Sequence, residues 1–570
     1  MKNKALGVRR AFICFLLGMA FCSTPLLQNS GAQEKPGQTI FYTHGRMYTN
    51  DPASPWAEAM AVADGKITCI GKMAHVLLDC GGSQQGAETV SLEDHFVMPG
   101  FNDAHVHLGG AGADALAVQL RGVASPEEMQ KRIAEAVAHH KEGEWITGGG
   151  WDHTLWPDKR FPNRQQLDAV APKNPVILTH ISGHVAVANS LALKKAEIDK
   201  STPNPPGGEI EHDGLGEPTG MLKEAAAMAL VKVRIPDPSP EERRRGIEIV
   251  LANVARNGVT SVQDNSAWED FQVYQQLKED GKLTARITEW LPFNASLNEL
   301  QDRRAQGGYR DPWLKTGALK AVTDGALGSR TAALLEPYSD DPSSPGIFTY
   351  DPDKLRVMAI ERDKAGFQLA FHAIGDRANR ICLDVFQAVA KANGPRDRRD
   401  RIEHAQVVAP MDFQRFAELK VIASMQPSHQ TTDMRWAEDR VGSERIKGAY
   451  AWNTMLKNGV RLAFGTDYNV EPISPFRGLY ACVTRERPEG GPRKGWEPQE
   501  KISLEDCIRA YISGSAYAQF EEGKKGELKV GEYADFIILS DDLTKIPPSQ
   551  YTKVRVLRTV VGGRTVYQAN

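Results

Sequence analysis

The middle of the chain, from about residue 99 to 523, alternates short apolar segments with amphipathic helical segments. Parallel strands have to be joined by crossover connections, which are usually helices, so this alternation is typical of a parallel α/β fold. Besides the run that ends in FNDAHVHL (101–108), the segments predicted as strands are PVILTH (175–180), VTSVQD (259–264), GALKAVTDG (317–325), GFQLAFHA (366–373), RIEHAQ (401–406), VIASMQP (421–427) and GVRLAFGTD (459–467). About eight such strands predict a (β/α)8 TIM-like barrel.

Both ends of the chain show a different pattern. Residues 38–98 and 524–570 consist largely of short β-like runs, separated by turn signals such as Asp64-Gly65. Since these two β-rich ends flank the helical and strand-rich middle, we predict that they build one small β-sandwich domain together. The barrel domain would then occupy residues 99–523.

The first 32 residues have the features of a signal peptide. A basic start is followed by the apolar run AFICFLLGMAFC, and Ser30 and Ala32 occupy the small-residue positions of a cleavage site. This apolar run is shorter than the ~20 residues that a membrane-spanning helix needs. We expect an exported protein, periplasmic or secreted, which keeps no stable membrane span after cleavage.

Charge and cysteine content narrow the class of partner. Lys and Arg number 69 against 72 Asp and Glu, for a net charge of −3, so there is no basic surplus for nucleic acid. We predict a small-molecule substrate and leave a homo-oligomer open. The cysteines after residue 32 lack the spacing of a disulfide framework or a zinc knuckle, although Cys69 and Cys80 could pair in an oxidising compartment.

Side chains that can bind a metal recur where the predicted strands end. They are His105, His107, Lys320, His372, His404 and Asp467. In (β/α)8 barrels the active site lies at this C-terminal edge. Residues two apart in a strand point the same way, so both imidazoles of HVH can reach one ion. Imidazole and carboxylate suit zinc and its neighbours, and the pattern therefore predicts a metal site.

Each of these side chains also has an ordinary explanation. His372 could be a core histidine, and Asp467 could cap the helix that follows it. Lys320 is harder to explain, because a buried lysine is costly unless it is paired, modified or able to extend to solvent. These separate explanations would all have to hold at successive strand ends, which favours one shared metal site.

Longer blocks of sequence carry a resemblance over nearly all of residues 38–560. They are PGFNDAHVHL, GWDHTLWPDKRFPNRQQLD, GHVAVANSLAL, GEPTGMLKE, LKAVTDGALGSRTA, FHAIGD, RIEHAQ, FGTDYNVEPISPF and KVGEYADFIIL. With these blocks the chain resembles the amidohydrolase superfamily of metal-dependent hydrolases, in the branch called amidohydrolase family 3, and is similar to N-substituted formamide deformylase. The resemblance implies the same (β/α)8 barrel, with a β-sandwich built from both termini.

The resemblance also implies the ligands of one or two divalent metal ions, with zinc as the expected metal. The first ion would take His105, His107 and Asp467, and the second would take His372 and His404. Lys320 matches the position at which relatives carry a carboxylated lysine that bridges two ions. His180, at the end of PVILTH, is given no ligand role, because relatives fill that position variably.

The activity that the resemblance implies is hydrolysis of a non-peptide C–N bond, in an amide, N-formyl or cyclic amide group, by a metal-activated hydroxide. Asp467 would carry the proton of water to the leaving nitrogen. His184, in the block GHVAVANS, would line the pocket or polarise the substrate carbonyl. Arg330, in GALGSRTA, would polarise the carbonyl or form a salt bridge within its own loop.

Other functions fit the same residues. Lactone or ester hydrolysis, deamination and decarboxylation would suit the same fold and metal site, because a fold does not choose a reaction. A non-catalytic, metal-containing protein that binds a small ligand is a different class, and Asp467 argues against it, since a binder needs no proton shuttle. Trp151, Asp152 and Trp156 are predicted in a loop over the barrel mouth, where they shape the pocket or pack.

Overall fold

The computed structural model describes residues 38–84, 86–308 and 310–570, and the predicted signal peptide lies outside these residues. The strands are β1 (Ile40–Thr43), β2 (Arg46–Tyr48), β3 (Trp56–Ala57), β4 (Ala59–Ala63), β5 (Lys66–Gly71), β6 (Glu88–Ser91), β7 (Phe96–Pro99), β8 (Phe101–Val106), β9 (Val118–Gln119), β10 (Ile146–Trp151), β11 (Val176–His180), β12 (Val185–Ala188), β13 (Glu209–His212), β14 (Pro218–Lys223), β15 (Val259–Asp264), β16 (Arg286–Pro292), β17 (Leu314–Val322), β18 (Leu369–Ala373), β19 (Arg401–His404), β20 (Ile422–Met425), β21 (Leu462–Phe464), β22 (Phe536–Leu539), β23 (Val556–Val561) and β24 (Arg564–Gln568).

The helices are α1 (Met73–Leu78), α2 (Leu108–Leu116), α3 (Pro126–Val137), α4 (Arg164–Asp168), α5 (Ser190–Lys195), α6 (Glu224–Lys232), α7 (Pro240–Arg256), α8 (Trp268–Glu279), α9 (Leu297–Gly307), α10 (Pro352–Lys364), α11 (Asp376–Asn393), α12 (Phe413–Glu418), α13 (Pro427–Asp433), α14 (Ala437–Arg445), α15 (Trp452–Lys457), α16 (Pro475–Thr484), α17 (Leu504–Arg509) and α18 (Ser515–Ala518). Short 3-10 helices lie at His153–Leu155, Pro410–Asp412, Ile446–Gly448, Pro498–Glu500 and Pro548–Lys553, and Ala510–Gly514 forms a π-helical turn.

Eight parallel strands form the central sheet, in the order β8-β15-β16-β17-β18-β19-β20-β21. The sheet closes where the chain after β21 meets β8. There the backbone N–H of Asp467 donates to the carbonyl of His105 (2.8 Å), and that of His107 donates to the carbonyl of Tyr468 (2.5 Å). The predicted (β/α)8 barrel is confirmed.

Local sequence explains where the long helix α7, which precedes barrel strand β15, begins and ends. Ser239 precedes it and accepts a hydrogen bond from the backbone of Glu242, whose carboxylate bonds back to the backbone of Ser239, which is a capping box. Past its C-terminus, Gly258 has a φ of 74°, a left-handed conformation that suits glycine and turns the chain into β15.

Both termini build a second domain, as predicted. One sheet has the order β5-β4-β1-β6, and the other has the order β24-β23-β22-β7-β2-β3, so the second combines strands from both ends. The sheets share one core, in which the rings of Tyr42 and Phe536 lie 5.0 Å apart. A buried ion pair between Arg286 of β16 and Asp535 (2.6 Å) joins this domain to the barrel.

A third sheet lies between β8 and β15 in the chain, with the order β13-β14-β12-β11-β10-β9. The prediction that PVILTH (175–180) is a barrel strand is wrong, because it forms β11 of this inserted sheet. The third barrel strand is instead β16 (Arg286–Pro292), which we did not predict. A short apolar run indicates a buried strand, but it does not indicate which neighbouring strand it pairs with. That pairing is decided by tertiary contacts.

Two disulfides lie within the described residues, between Cys69 and Cys80 and between Cys482 and Cys507. The Cys69–Cys80 pair is the one that the sequence left open, whereas the Cys482–Cys507 pair was not predicted. Cys482 lies on α16 and Cys507 on α17, so their pairing depends on helix packing that spacing alone does not reveal. Among the helices of the described residues, none is both long and apolar enough to span a membrane.

Candidate metal centre

The predicted metal ligands lie at the ends of barrel strands, at one edge of the barrel. His105 lies in β8 with His107 directly after it, His372 lies in β18, His404 ends β19, and Asp467 follows β21. The imidazole ring centres are 5.3 Å apart for His105 and His107, 5.0 Å for His105 and His404, and 4.5 Å for His372 and His404. The four histidines therefore form one cluster, as the parallel topology requires.

One ligand group consists of His105, His107 and Asp467, whose ligand atoms all lie within 4.8 Å of one another. Asp467 Oδ1 is 3.0 Å from His107 Nε2 and 3.7 Å from His105 Nε2. Donor atoms around a tetrahedral zinc ion stand about 3.3 Å apart, given zinc–nitrogen bonds of about 2.0–2.1 Å. The group thus has the spacing of an ion site with only small adjustments.

A second ligand group shares Asp467 and adds His404 and His429. His429 Nε2 lies 3.6 Å from Asp467 Oδ2 and is buried without a hydrogen-bond partner among the described residues. An unsatisfied buried nitrogen that faces a carboxylate fits a cation between them. Sequence reasoning missed His429, because it lies in helix α13, four residues beyond the end of β20, and not at a strand end.

The histidines are held in the orientation that metal ligands need. In three of them Nδ1 contacts an acceptor and leaves Nε2 directed to the cluster, an arrangement that fixes the tautomer and raises ligand basicity. These contacts join His105 to Glu403 Oε2 (2.8 Å), His107 to the carbonyl of Asn265 (3.0 Å) and His404 to Gln426 Oε1 (2.8 Å).

Glu403 is anchored by a fully buried arginine. Arg401 Nε donates to the Glu403 carboxylate, and its Nη2 donates to Ser424 Oγ (2.6 Å) and to the carbonyl of Ala104 (2.9 Å). Burial on its own raises the pKa of Glu403, but Arg401 and then His105 outweigh it and lower the pKa to about 2. The partner of His105 is therefore a permanent anion.

Lys320 lies inside the cluster. Its Nζ is 3.0 Å from His105 Nε2, and the residue is only 7% exposed. Burial lowers the pKa of Lys320 to about 8, and burial followed by the charge of Lys320 lowers the pKa of His105 to about 4. The lowered pKa gives this amine a larger neutral fraction than an ordinary lysine has, and the neutral amine and the neutral imidazole next to it are the forms that lysine carboxylation and metal binding require.

Of the predicted histidine and aspartate ligands, His372 belongs to neither of these two ligand groups. Its Nε2 lies 3.4 Å from Asp324 Oδ1 and 3.4 Å from the carbonyl of Gly325. Asp324 in turn accepts backbone hydrogen bonds from Ala333, Ile374 and Gly375, at 2.8 to 3.0 Å. Asp324 therefore ties loops together at this edge, while His372 reaches the cluster through its ring contact with His404.

The structure does not join His184 or Arg330 to the cluster by any contact among the described residues. His184 is 72% exposed in its side chain, and its Nδ1 lies 3.0 Å from Glu224. Arg330 forms a bidentate pair with Asp340 (3.0 and 2.9 Å), which is the salt bridge within its loop that competes with a substrate role. Their proposed roles toward a substrate stay predictions.

Comparisons with known proteins find similar proteins along most of the chain. The sequence pattern described as the amidohydrolase family matches residues 88–567. Protein LONG AFTER FAR-RED 3 of Arabidopsis thaliana is 38% identical over 544 residues, with 93% of this chain and 91% of that protein covered. N-substituted formamide deformylase of Arthrobacter pascens is 28% identical over 545 residues, with 93% and 98% covered. The crystal structure of an uncharacterized metal-dependent hydrolase from Pyrococcus furiosus shares 30% identity and a TM-score of 0.73, over 90% of this chain and 100% of that one.

Proposed function

This chain belongs to the amidohydrolase family, and from that premise we propose that it hydrolyses an amide, N-formyl or cyclic amide bond at the metal centre. The family and the deformylase relative make it a hydrolase that acts on carbon–nitrogen bonds other than peptide bonds. The observation that carries the proposal is the position of the Asp467 carboxylate, with one oxygen 3.0 Å from His107 and the other 3.6 Å from His429.

The residues present fit one or two divalent ions, of which zinc suits imidazole and carboxylate donors best. His105, His107 and Asp467 would hold the first ion. His404 would hold the second with His372 or His429, and Lys320, once carboxylated, would supply an anion next to both. Such an ion, when bound, is a Lewis acid that polarises a carbonyl and lets water ionise near neutral pH.

Asp467 is the proton carrier of this proposal. Burial raises its pKa, but the neighbouring imidazoles, beginning with His105 and the hydrogen bond from His107, outweigh burial and hold the pKa well below its usual value. The carboxylate is therefore ionised and can take a proton from the attacking water at one oxygen. It then delivers that proton to the nitrogen as the C–N bond breaks, so the products are a carboxylic acid and an amine.

The direct test is turnover by the full chain after its metal content has been measured. We expect the zinc-loaded protein to release amine from at least one member of a panel of N-formyl, N-acyl and cyclic amides. A chelator should abolish this turnover and added zinc should restore it. Turnover of lactones or esters with none of amides would favour the ester-hydrolase alternative, and tight ligand binding with no turnover of any class would favour a binding protein.

We further propose that the protein is exported. Disulfides persist mainly in oxidising compartments, so the Cys69–Cys80 and Cys482–Cys507 pairs support this location together with the leader-like residues 1–32. The mature protein, isolated from the periplasm or medium, should begin at Gln33. In denaturant without a reductant, four of its cysteines should resist alkylation until they are reduced. An intact N-terminus with all cysteines alkylated in the unreduced, denatured protein would contradict export.

A further inference from the structure

A second set of metal-binding side chains lies in the inserted sheet and belongs to no part of the barrel site. It consists of Asp152, His153 and His180, and one ligand atom from each lies within 4.8 Å of the others. Neighbouring parallel strands bring them together, since Trp151 at the end of β10 pairs with His180 at the end of β11, after a shift of register at Gly150. Asp152 and His153 directly follow Trp151, so the carboxyl ends of both strands converge on one point.

Two imidazole nitrogens of this set are buried without partners. Neither His153 Nδ1 nor His180 Nε2 has a hydrogen-bond partner among the described residues. The side chain of His180 is only 11% exposed, and its Nε2 lies 3.9 Å from Asp152 Oδ1. A buried polar group that stays unsatisfied costs about 1–3 kcal/mol, so two orphaned nitrogens next to one carboxylate call for a shared partner.

The contacts around the set hold these atoms in place. Ser182 occupies the far side of the His180 ring, where its backbone N–H donates to Nδ1 (3.1 Å) and its Oγ lies 2.8 Å from Nδ1, so the ring is held with Nε2 on the side of Asp152. Asp152 Oδ1 accepts from the backbone N–H (2.9 Å) and hydroxyl (2.7 Å) of Thr154. A carboxylate offers about four acceptor positions, so about half of its capacity remains, chiefly at Oδ2.

Aromatic rings flank the same point. The His153 ring lies 4.2 Å from the ring of Phe161, and the His180 ring lies 4.6 Å from that of Trp151. Trp151 and Trp156 are fully buried and donate their indole N–H groups to backbone carbonyls, so they pack the sheet and do not shape an open pocket. The low polarity of these rings strengthens any charge–dipole contact that forms beside them.

We propose that Asp152, His153 and His180 bind a divalent transition-metal ion, with zinc as the representative, at a site separate from the barrel centre. Two imidazoles and one carboxylate suit zinc and its first-row neighbours and not calcium or magnesium, which prefer oxygen donors. The 3.9 Å separation of His180 Nε2 and Asp152 Oδ1 is close to the spacing of about 3.3 Å around a tetrahedral zinc ion. Three donors leave a fourth position for water or an anionic ligand.

Zinc titration of the metal-free full chain tests this site independently of any turnover. The wild type should bind one more equivalent of zinc than the His180→Ala variant, while the equivalents that belong to the barrel cluster stay the same. Asp152→Asn, which keeps the shape of the side chain, should weaken that additional equivalent at least 10-fold and guards against a folding defect in the alanine variant. His139→Ala is the matched control, because it removes an exposed histidine just beyond α3, and it should bind zinc as the wild type does.

Cobalt supplies a second readout. Cobalt-substituted wild type should show the absorption of an additional four-coordinate site, and this part of the spectrum should disappear in His180→Ala. Equal zinc stoichiometry and equal cobalt spectra for the wild type and both variants would overturn the proposal and leave the cluster as a packed histidine pair.

Discussion

Asp467→Asn should lower kcat for the amide substrate by about 10²- to 10⁴-fold, which is the usual contribution of a general acid–base group. Asparagine keeps the size of the side chain and an oxygen that can contact an ion, but it cannot accept the proton of water. The loss should therefore appear in kcat more than in KM, and the zinc content should remain near that of the wild type. Steady-state kinetics with metal analysis on the same preparation measure both quantities.

Asp280→Asn provides the matched control for this prediction. Asp280 directly follows α8, and its half-exposed carboxylate pairs with Arg244. The variant makes the same chemical change as Asp467→Asn and should leave kcat unchanged. If Asp467→Asn keeps full turnover with its metal bound, Asp467 is not the proton carrier. If instead it loses its zinc, the carboxylate acts chiefly as a ligand, and the proton would have to move through another group.

Lys320→Ala should remove most of the bound metal and, with it, at least 10²-fold of the amide turnover. The lysine lies 3.0 Å from His105 Nε2 at the centre of the cluster, so its carboxylated form would place an anion among four imidazoles. Without that anion, two cations so close together repel each other with nothing between them. Native mass spectrometry should find the mass of one added CO₂ on the wild type and none on the variant, and metal analysis should find fewer ions per chain.

Lys315→Met controls for the loss of a buried lysine from the same strand. Lys315 lies five residues earlier in β17 and pairs with Glu521 (2.6 Å), away from the histidine cluster, so this variant should keep its metal content. Full metal occupancy in Lys320→Ala would show that the lysine does not bridge the ions. Full metal occupancy together with lost turnover would indicate that Lys320 acts on the substrate and not on the metal ions.

Much of the barrel site could be predicted because its signals are local. Strand periodicity placed His105 and His107 on one face, and parallel topology sends every strand end to one edge, so Lys320, His404 and Asp467 could be assigned before any contact was known. His429 escaped because it belongs to a helix, and its distance to Asp467 depends on how α13 turns back over the barrel.

The same limit explains the wrong assignment of PVILTH and the disulfides. A five-residue apolar strand has the same appearance in a barrel as in the inserted sheet, because burial on both faces erases any mark of its partner. Cys482 and Cys507 are 25 residues apart and meet only through the packing of α16 on α17. Which strands pair and which cysteines bond depends on residues far apart in the chain. The free energy that selects these partners comes from many weak contacts.

By itself, the amino-acid sequence determined the barrel, the domain built from both termini and the chemical character of the predicted metal ligands, since these follow from periodicity and from side-chain type at strand ends. Only the tertiary structure decided which atoms meet. It places His429 opposite Asp467, engages Arg330 with Asp340, and converges Asp152, His153 and His180 on one point. The physical reason is that a coordination site is defined by distances of a few ångströms between residues far apart in the chain, and those distances exist only after the strands have paired.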